Sequence, residues 1–149
     1  MTAADDGLVI GRIYTFRFRS RNQVGWSVWS DFLRVGFGNQ VLAPQNLVAN
    51  LELGTATSIT LEWAMVTDAD LVTDGYALEM LLDDDTWSEV FRAETDPNAL
   101  TATVYGLTTS KLYFFRVFAL DFNGMSEPSS TYQIHACGLP RYFNAPTYV

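Results

Sequence analysis

A single histidine and a single cysteine stand in the 149 residues, and they bound the covalent chemistry open to the chain. His135 and Cys137 lie two positions apart, so on a strand their side chains share a face and the ring can touch the thiol. A Cys-His or Ser-His-Asp nucleophile needs a further group to orient the imidazole, and no spacing here indicates one. A strand-end His beside a small buried Cys is the plainer reading, and no catalytic residues are expected. Zinc takes three or four nitrogen or sulfur ligands where the chain offers two, so no metal site is expected from this pair. The run Asp68-x-Asp70-x-x-x-Asp74-Gly75 offers carboxylates to a hard cation but lacks the closing Glu of a calcium loop. Asp83-Asp84-Asp85 reads as a solvated hairpin. No glycine-rich phosphate loop occurs, so no cofactor is expected and the chain is read as a non-enzyme.

A second group of residues carries non-covalent chemistry. Arg17, Arg19 and Arg21 alternate along one face, and Trp26-Ser27-Val28-Trp29-Ser30 follows directly. Guanidinium and indole planes on neighbouring strands can interleave as a ladder, each contact contributing about 0.5 to 2 kcal/mol. Such a ladder (Arg17, Arg19, Arg21, Trp26, Trp29) stiffens the fold around it and is not itself a ligand site.

The elements that position these residues are strands. The chain is 48% hydrophobic and 17% charged, which describes a globular domain with some additional chain. Seventeen acidic against nine basic residues give a formal charge of −8, opposite to what a phosphate backbone attracts, so no nucleic-acid partner is expected. No apolar run is long enough to span a membrane, and no basic segment precedes an apolar one as in a signal peptide. Gly7-Leu8, Tyr14, Phe16, Arg17, Gly25, Ser27 and Ser30 recur 99 residues later as Gly106-Leu107, Tyr113, Phe115, Arg116, Gly124, Ser126 and Ser129. Between the two copies the apolar period is two: Ile59, Leu61, Trp63; Tyr76, Leu78, Met80; Tyr113, Phe115, Val117, Ala119. Turn residues at Gly54, Asp74-Gly75, Asp83 to Asp85, Asp96-Pro97-Asn98 and Asn123-Gly124 separate seven strands. They are placed at 45–51, 58–65, 75–82, 87–93, 100–105, 111–121 and 129–136. Half-buried antiparallel sheets must cover each other, so the expected fold is all-β, a seven-stranded immunoglobulin-like sandwich. The expected organisation is the C-terminal part of one module at 1–38, a linker at 39–43, a complete module at 44–138, and at 139–149 a linker with the opening strand of a further module.

These residues resemble the fibronectin type III module. The resemblance rests on Pro44 opening the first strand, Trp63 on the second, Tyr76 on the third, Leu107 six residues before Tyr113-x-Phe115-x-Val117-x-Ala119, and the loop Gly124-x-Ser126-x-x-Ser129. It implies a tyrosine corner at Leu107 with Tyr113 and another at Leu8 with Tyr14, each hydroxyl bonding back to the backbone. The loop from Phe122 to Pro128 carries no Arg-Gly-Asp. Separately, Trp26-Ser27-Val28-Trp29-Ser30 matches the signature of class I cytokine receptors, although the paired cysteines of the receptor's partner module are missing. Trp26-x-x-Trp29 also resembles an acceptor for C-mannosylation, which implies secretory passage.

The outer face of one sheet raises the question of partners. With Tyr113, Phe115 and Val117 inward, Phe114, Phe118 and Leu120 point outward beside Leu81. Either they form an exposed protein interface, or Arg116, Phe122 or Trp87 covers them. Tyr14, Phe16, Phe18 and Val35 in the partial module are expected to lack an opposing sheet, which favours association. Two functional readings follow. In the first, the chain is a structural and interaction module of a tandem-repeat extracellular surface or filament-forming protein, partnered by adjacent modules or by copies of itself as a homo-oligomer. In the second, it is a receptor-like module binding a ligand through the loops 66–74 and 121–128.

Overall fold

The apolar rows at Ile59, Leu61 and Trp63 and at Tyr113, Phe115 and Val117 face one another across a common core. A computed structural model describes residues 7–138. In chain order the strands are β1 (Arg12–Phe16), β2 (Leu33–Phe37), β3 (Val48–Ala49), β4 (Ser58–Glu62), β5 (Gly75–Leu81), β6 (Trp87–Ala93), β7 (Thr101–Tyr105), β8 (Leu112–Asp121), β9 (Gly124–Met125) and β10 (Tyr132–His135). No helix occurs among the described residues, so none is available there to cross a membrane.

Two sheets make the sandwich. One has the order β3-β4-β7 and the other β10-β8-β5-β6, with β9 folded back on β8; every pairing is antiparallel. Between them Trp63 packs on Tyr76 and Phe91 with ring centroids 5.9 and 6.1 Å apart, and tilted contacts of this kind contribute beyond area burial alone. Strand β5 approaches β6 so closely that a Cβ on Gly75 would stand 1.7 Å from the Ala93 carbonyl oxygen, which only glycine avoids.

The strands fall where the alternation puts them, with local exceptions. The first expected strand, 45–51, forms a regular ladder only at Val48–Ala49; Asn46, at φ 58°, interrupts extension just after Gln45, whose carbonyl accepts the Ala64 N–H. The last begins at Tyr132 rather than Ser129, because the Ser129 hydroxyl, in place of a ladder carbonyl, takes the Val117 N–H. Val41, inside the segment read as a linker, is only 4% exposed and belongs to the core cluster. The expected linker and opening strand at 139–149 lie outside the described residues.

β1 and β2 form a separate two-stranded sheet with Tyr14 opposite Val35. Its register is that of β8 and β10, where Tyr113 stands opposite Ile134 at the same 99-residue spacing. The repeat extends to the backbone: Gly7 and Gly106 have φ 69° and 76°, and Gly11 at 84° corresponds to Ser110 at 66°.

Candidate functional site

The repeated serines show how the outer strand segments are held. Ser126 Oγ accepts the Ala119 N–H and Ser129 Oγ the Val117 N–H, both at 3.0 Å. In the N-terminal copy of the repeat Ser27 Oγ accepts from Ser20 N–H and Ser30 Oγ from Phe18 N–H, again at 3.0 Å. Each hydroxyl in turn donates to the carbonyl of the next residue. The Ser in the Trp-Ser phrases is thus a backbone clamp. The spacing singled these residues out, but their role as acceptors for strand N–H groups is a property of the fold.

Both tyrosine pairs make the same contact. The Thr108 N–H donates to the Tyr113 hydroxyl at 2.8 Å, and the Val9 N–H donates to the Tyr14 hydroxyl at 2.7 Å. Leu107 is buried in the core, whereas Leu8 is half-buried.

The arginines and tryptophans come together beyond the end of β1, where a bridge pairs Arg21 with Trp26. The Arg17 guanidinium lies 4.3 Å from the Trp29 ring and 5.4 Å from Phe32. Arg19 sits between Trp26 at 4.3 Å and Trp29 at 4.5 Å, and Arg21 caps the outer side of Trp26 at 5.5 Å. The order is Phe32, Arg17, Trp29, Arg19, Trp26, Arg21. Phe32 extends the ladder by one ring beyond the signature, which the spacing alone did not indicate. Every guanidinium is engaged within the chain, so the ladder braces this segment.

The complete module uses the corresponding row differently, and this corrects the expected exposure of Phe118 and Leu120. They occupy the positions of Arg19 and Arg21, and they are only 7% and 5% exposed. Arg116, the counterpart of Arg17, stacks 4.1 Å from the Trp87 ring and reaches over Phe118 at 5.3 Å. It is anchored by Glu79 at 2.7 Å. The covering arrangement therefore prevails over the open interface at these two residues, while Phe114 and Leu81 stay half-buried.

No grouping of three or more His, Cys, Asp or Glu side chains suited to a metal ion occurs among the described residues. The His135 Nδ1 lies 3.0 Å from the Ser110 carbonyl, and Cys137 is exposed. Asp70 Oδ2 accepts from both the backbone N–H and the side-chain amide of Asn39, each at 2.8 Å. The loops 66–74 and 121–128, read as a ligand-contacting pair, thus meet the chain's own segment around Gly36 to Gln40.

Two facing antiparallel sheets of seven strands, with a tyrosine corner and serine clamps, define an immunoglobulin-like β-sandwich module. The family model of the Fibronectin type III domain matches residues 42–135, and the chain belongs to that family. It is 34% identical over 113 residues to Fibronectin type III domain-containing protein 1 of Margaritifera margaritifera, covering 73% of this chain and 14% of that protein. It is 33% identical over 82 residues to the human cell adhesion molecule DSCAM, covering 54% of this chain and 4% of that protein. The chain thus spans a small part of the length of these curated relatives. Among solved structures, the chicken CNTN1 FN1-FN3 domains superpose with a TM-score of 0.59 at 16% identity, over 89% of this chain and 44% of that one.

Proposed function

We propose that the chain is a non-enzymatic structural and interaction unit of a tandem-repeat adhesion protein at the cell surface, and that the open face of its β1–β2 sheet is closed by the sheet of a neighbouring module or chain. The observation that carries this reading is a contrast within the repeat. Phe115 is completely buried, and Phe16, at the corresponding position 99 residues earlier, is 46% exposed. Phe18, Leu33 and Val35 extend the same apolar face. A contiguous apolar sheet face of this kind marks a surface that another surface covers. The chemistry of the cover is indicated by the complete module, where Ile59, Leu61 and Val104 lie opposite Phe115. The adhesion reading is supported by the similarity to a cell adhesion molecule.

Sedimentation velocity over a wide concentration range tests closure by a second copy. A mass that grows with concentration, and returns to monomer with Phe16→Asp and Phe18→Asp, is the expected result. A constant monomer mass in the unaltered chain would overturn self-association. The receptor-like reading loses ground because the loops it needs contact residues 36–40.

A further inference from the structure

We propose that the loop around Asp70 and Leu71, with Asn123, is a docking site for the tail strand of the preceding module, and that it locks the two modules at one fixed angle in a manner specific to this pair. This goes beyond the adhesion reading and does not depend on it. The contact begins at Gly36 on β2. Gly36 faces Ile13 across the sheet, while Asn123 Oδ1 accepts its N–H at 2.9 Å and Asn123 Nδ2 donates to its carbonyl at 2.9 Å. One carboxamide therefore satisfies both backbone groups of one residue, as a neighbouring strand would. Three residues on, Asp70 accepts from the backbone N–H and the side-chain amide of Asn39, and the Gln40 side chain donates to the Met125 carbonyl at 3.0 Å. The Arg34 guanidinium lies 5.2 Å from the Phe122 ring.

Glycines make the approach possible. A Cβ on Gly36 would lie 2.6 Å from Leu71 Cδ1, one on Gly38 would lie 2.7 Å from Asp70 Cβ, and one on Gly11 would lie 2.8 Å from the Asp70 carbonyl oxygen. Leu71 fills the space a side chain at Gly36 would take and is buried although it stands in a loop. Steric fit and hydrogen bonding thus act on the same short segment from two loops, which removes the freedom a linker would otherwise have.

Within the chain the lock occurs once. At the 99-residue spacing Gly36 corresponds to His135 and Gly38 to Cys137, so the tail of the complete module carries side chains where this docking needs none. Asn123 likewise corresponds to Val24, which has no amide to offer and is exposed. Neither half of the lock is duplicated.

The test uses amide hydrogen exchange and 15N relaxation on the 149-residue chain at a concentration where it is monomeric. In the unaltered chain, β1 and β2 are expected to tumble with the same correlation time as β4, β5 and β8. Asn123→Ala combined with Asp70→Ala should raise exchange at Gly36 and Asn39 by about tenfold or more and separate the two correlation times, with Tyr14 and Val35 still protected. Separate tumbling already in the unaltered chain, or common tumbling in the double variant, would overturn the proposal. Should the double variant lose the β1–β2 sheet, Asn123→Asp, which keeps the acceptor but removes the donor, is read by the same two criteria.

Discussion

Ser129→Ala removes one oxygen from a site where its loss has a calculable effect. In the complete module the Ser129 hydroxyl is the acceptor for the Val117 N–H, and Val117 is fully buried. Water cannot replace the lost partner there, and an unsatisfied buried N–H costs about 1 to 3 kcal/mol. For a domain of this size each kcal/mol lowers the midpoint by roughly 4 to 8 °C, so a fall of at least about 4 °C is expected. The repeat supplies its own control. Ser30→Ala deletes the same 3.0 Å contact to Phe18 N–H, but that group is exposed and returns to water, at a cost below about 0.5 kcal/mol. Differential scanning calorimetry of the 149-residue chain, with amide exchange at Phe18 and Val117, reads both variants. A midpoint change under about 2 °C for Ser129→Ala, or equal effects from the two serines, would refute the argument that burial sets the energy of this clamp.

Three further outcomes are expected. Phe118→Ser should destabilise the complete module by about 3 kcal/mol or more in urea unfolding, since it empties a buried site and exposes the stack of Arg116 on Trp87. Arg19→Ala takes out the middle of the ladder between Trp26 and Trp29, and 15N relaxation of the two indole N–H groups should report increased fast motion at both while the core indole of Trp63 is unchanged. Asp84 is held below the ordinary carboxylate value by the Thr86 hydroxyl, with help from the Thr86 backbone N–H. Because its folded value is depressed, its contribution is complete above the ordinary value and is lost as pH falls through the lowered one. Thr86→Ala should raise the Asp84 titration midpoint in an NMR pH series, and an unmoved midpoint would show that the hydroxyl is not the cause.

Alternation and turn residues make β4 through β8 legible because one face of each strand is apolar and packs into the core, and a period of two is the direct imprint of that packing. The tyrosine corners and the ladder were legible because their members are close in sequence. Phe118 and Leu120 were not, because an outward-pointing residue on a strand is expected at the surface. Over Phe118 the cover is Arg116 reaching Trp87, which lies on β6, two strands earlier in the chain. The contact of Asn123 with Gly36 was hidden for a related reason: it joins an isolated loop residue to a strand 87 positions away, and no periodicity records such a pair. Phe32 lies beyond the Trp-Ser signature that it extends, so the signature does not point to it.

The burial of Val41 bears on how the molecule responds when its ends are pulled. A chain that leaves a sandwich through open solvent has slack to take up before any fold is disturbed. Here the residue that leads into the complete module is itself seated in its core, so there is no slack between Asn39 and the first core side chain. A pull applied at β2 would meet the Asn123 and Asp70 contacts and Val41 before it reached β3. The segment between β2 and β3 thus belongs by its packing to the sandwich that follows it, and extending it requires both breaking the contacts at Gly36 and Asn39 and withdrawing a buried valine.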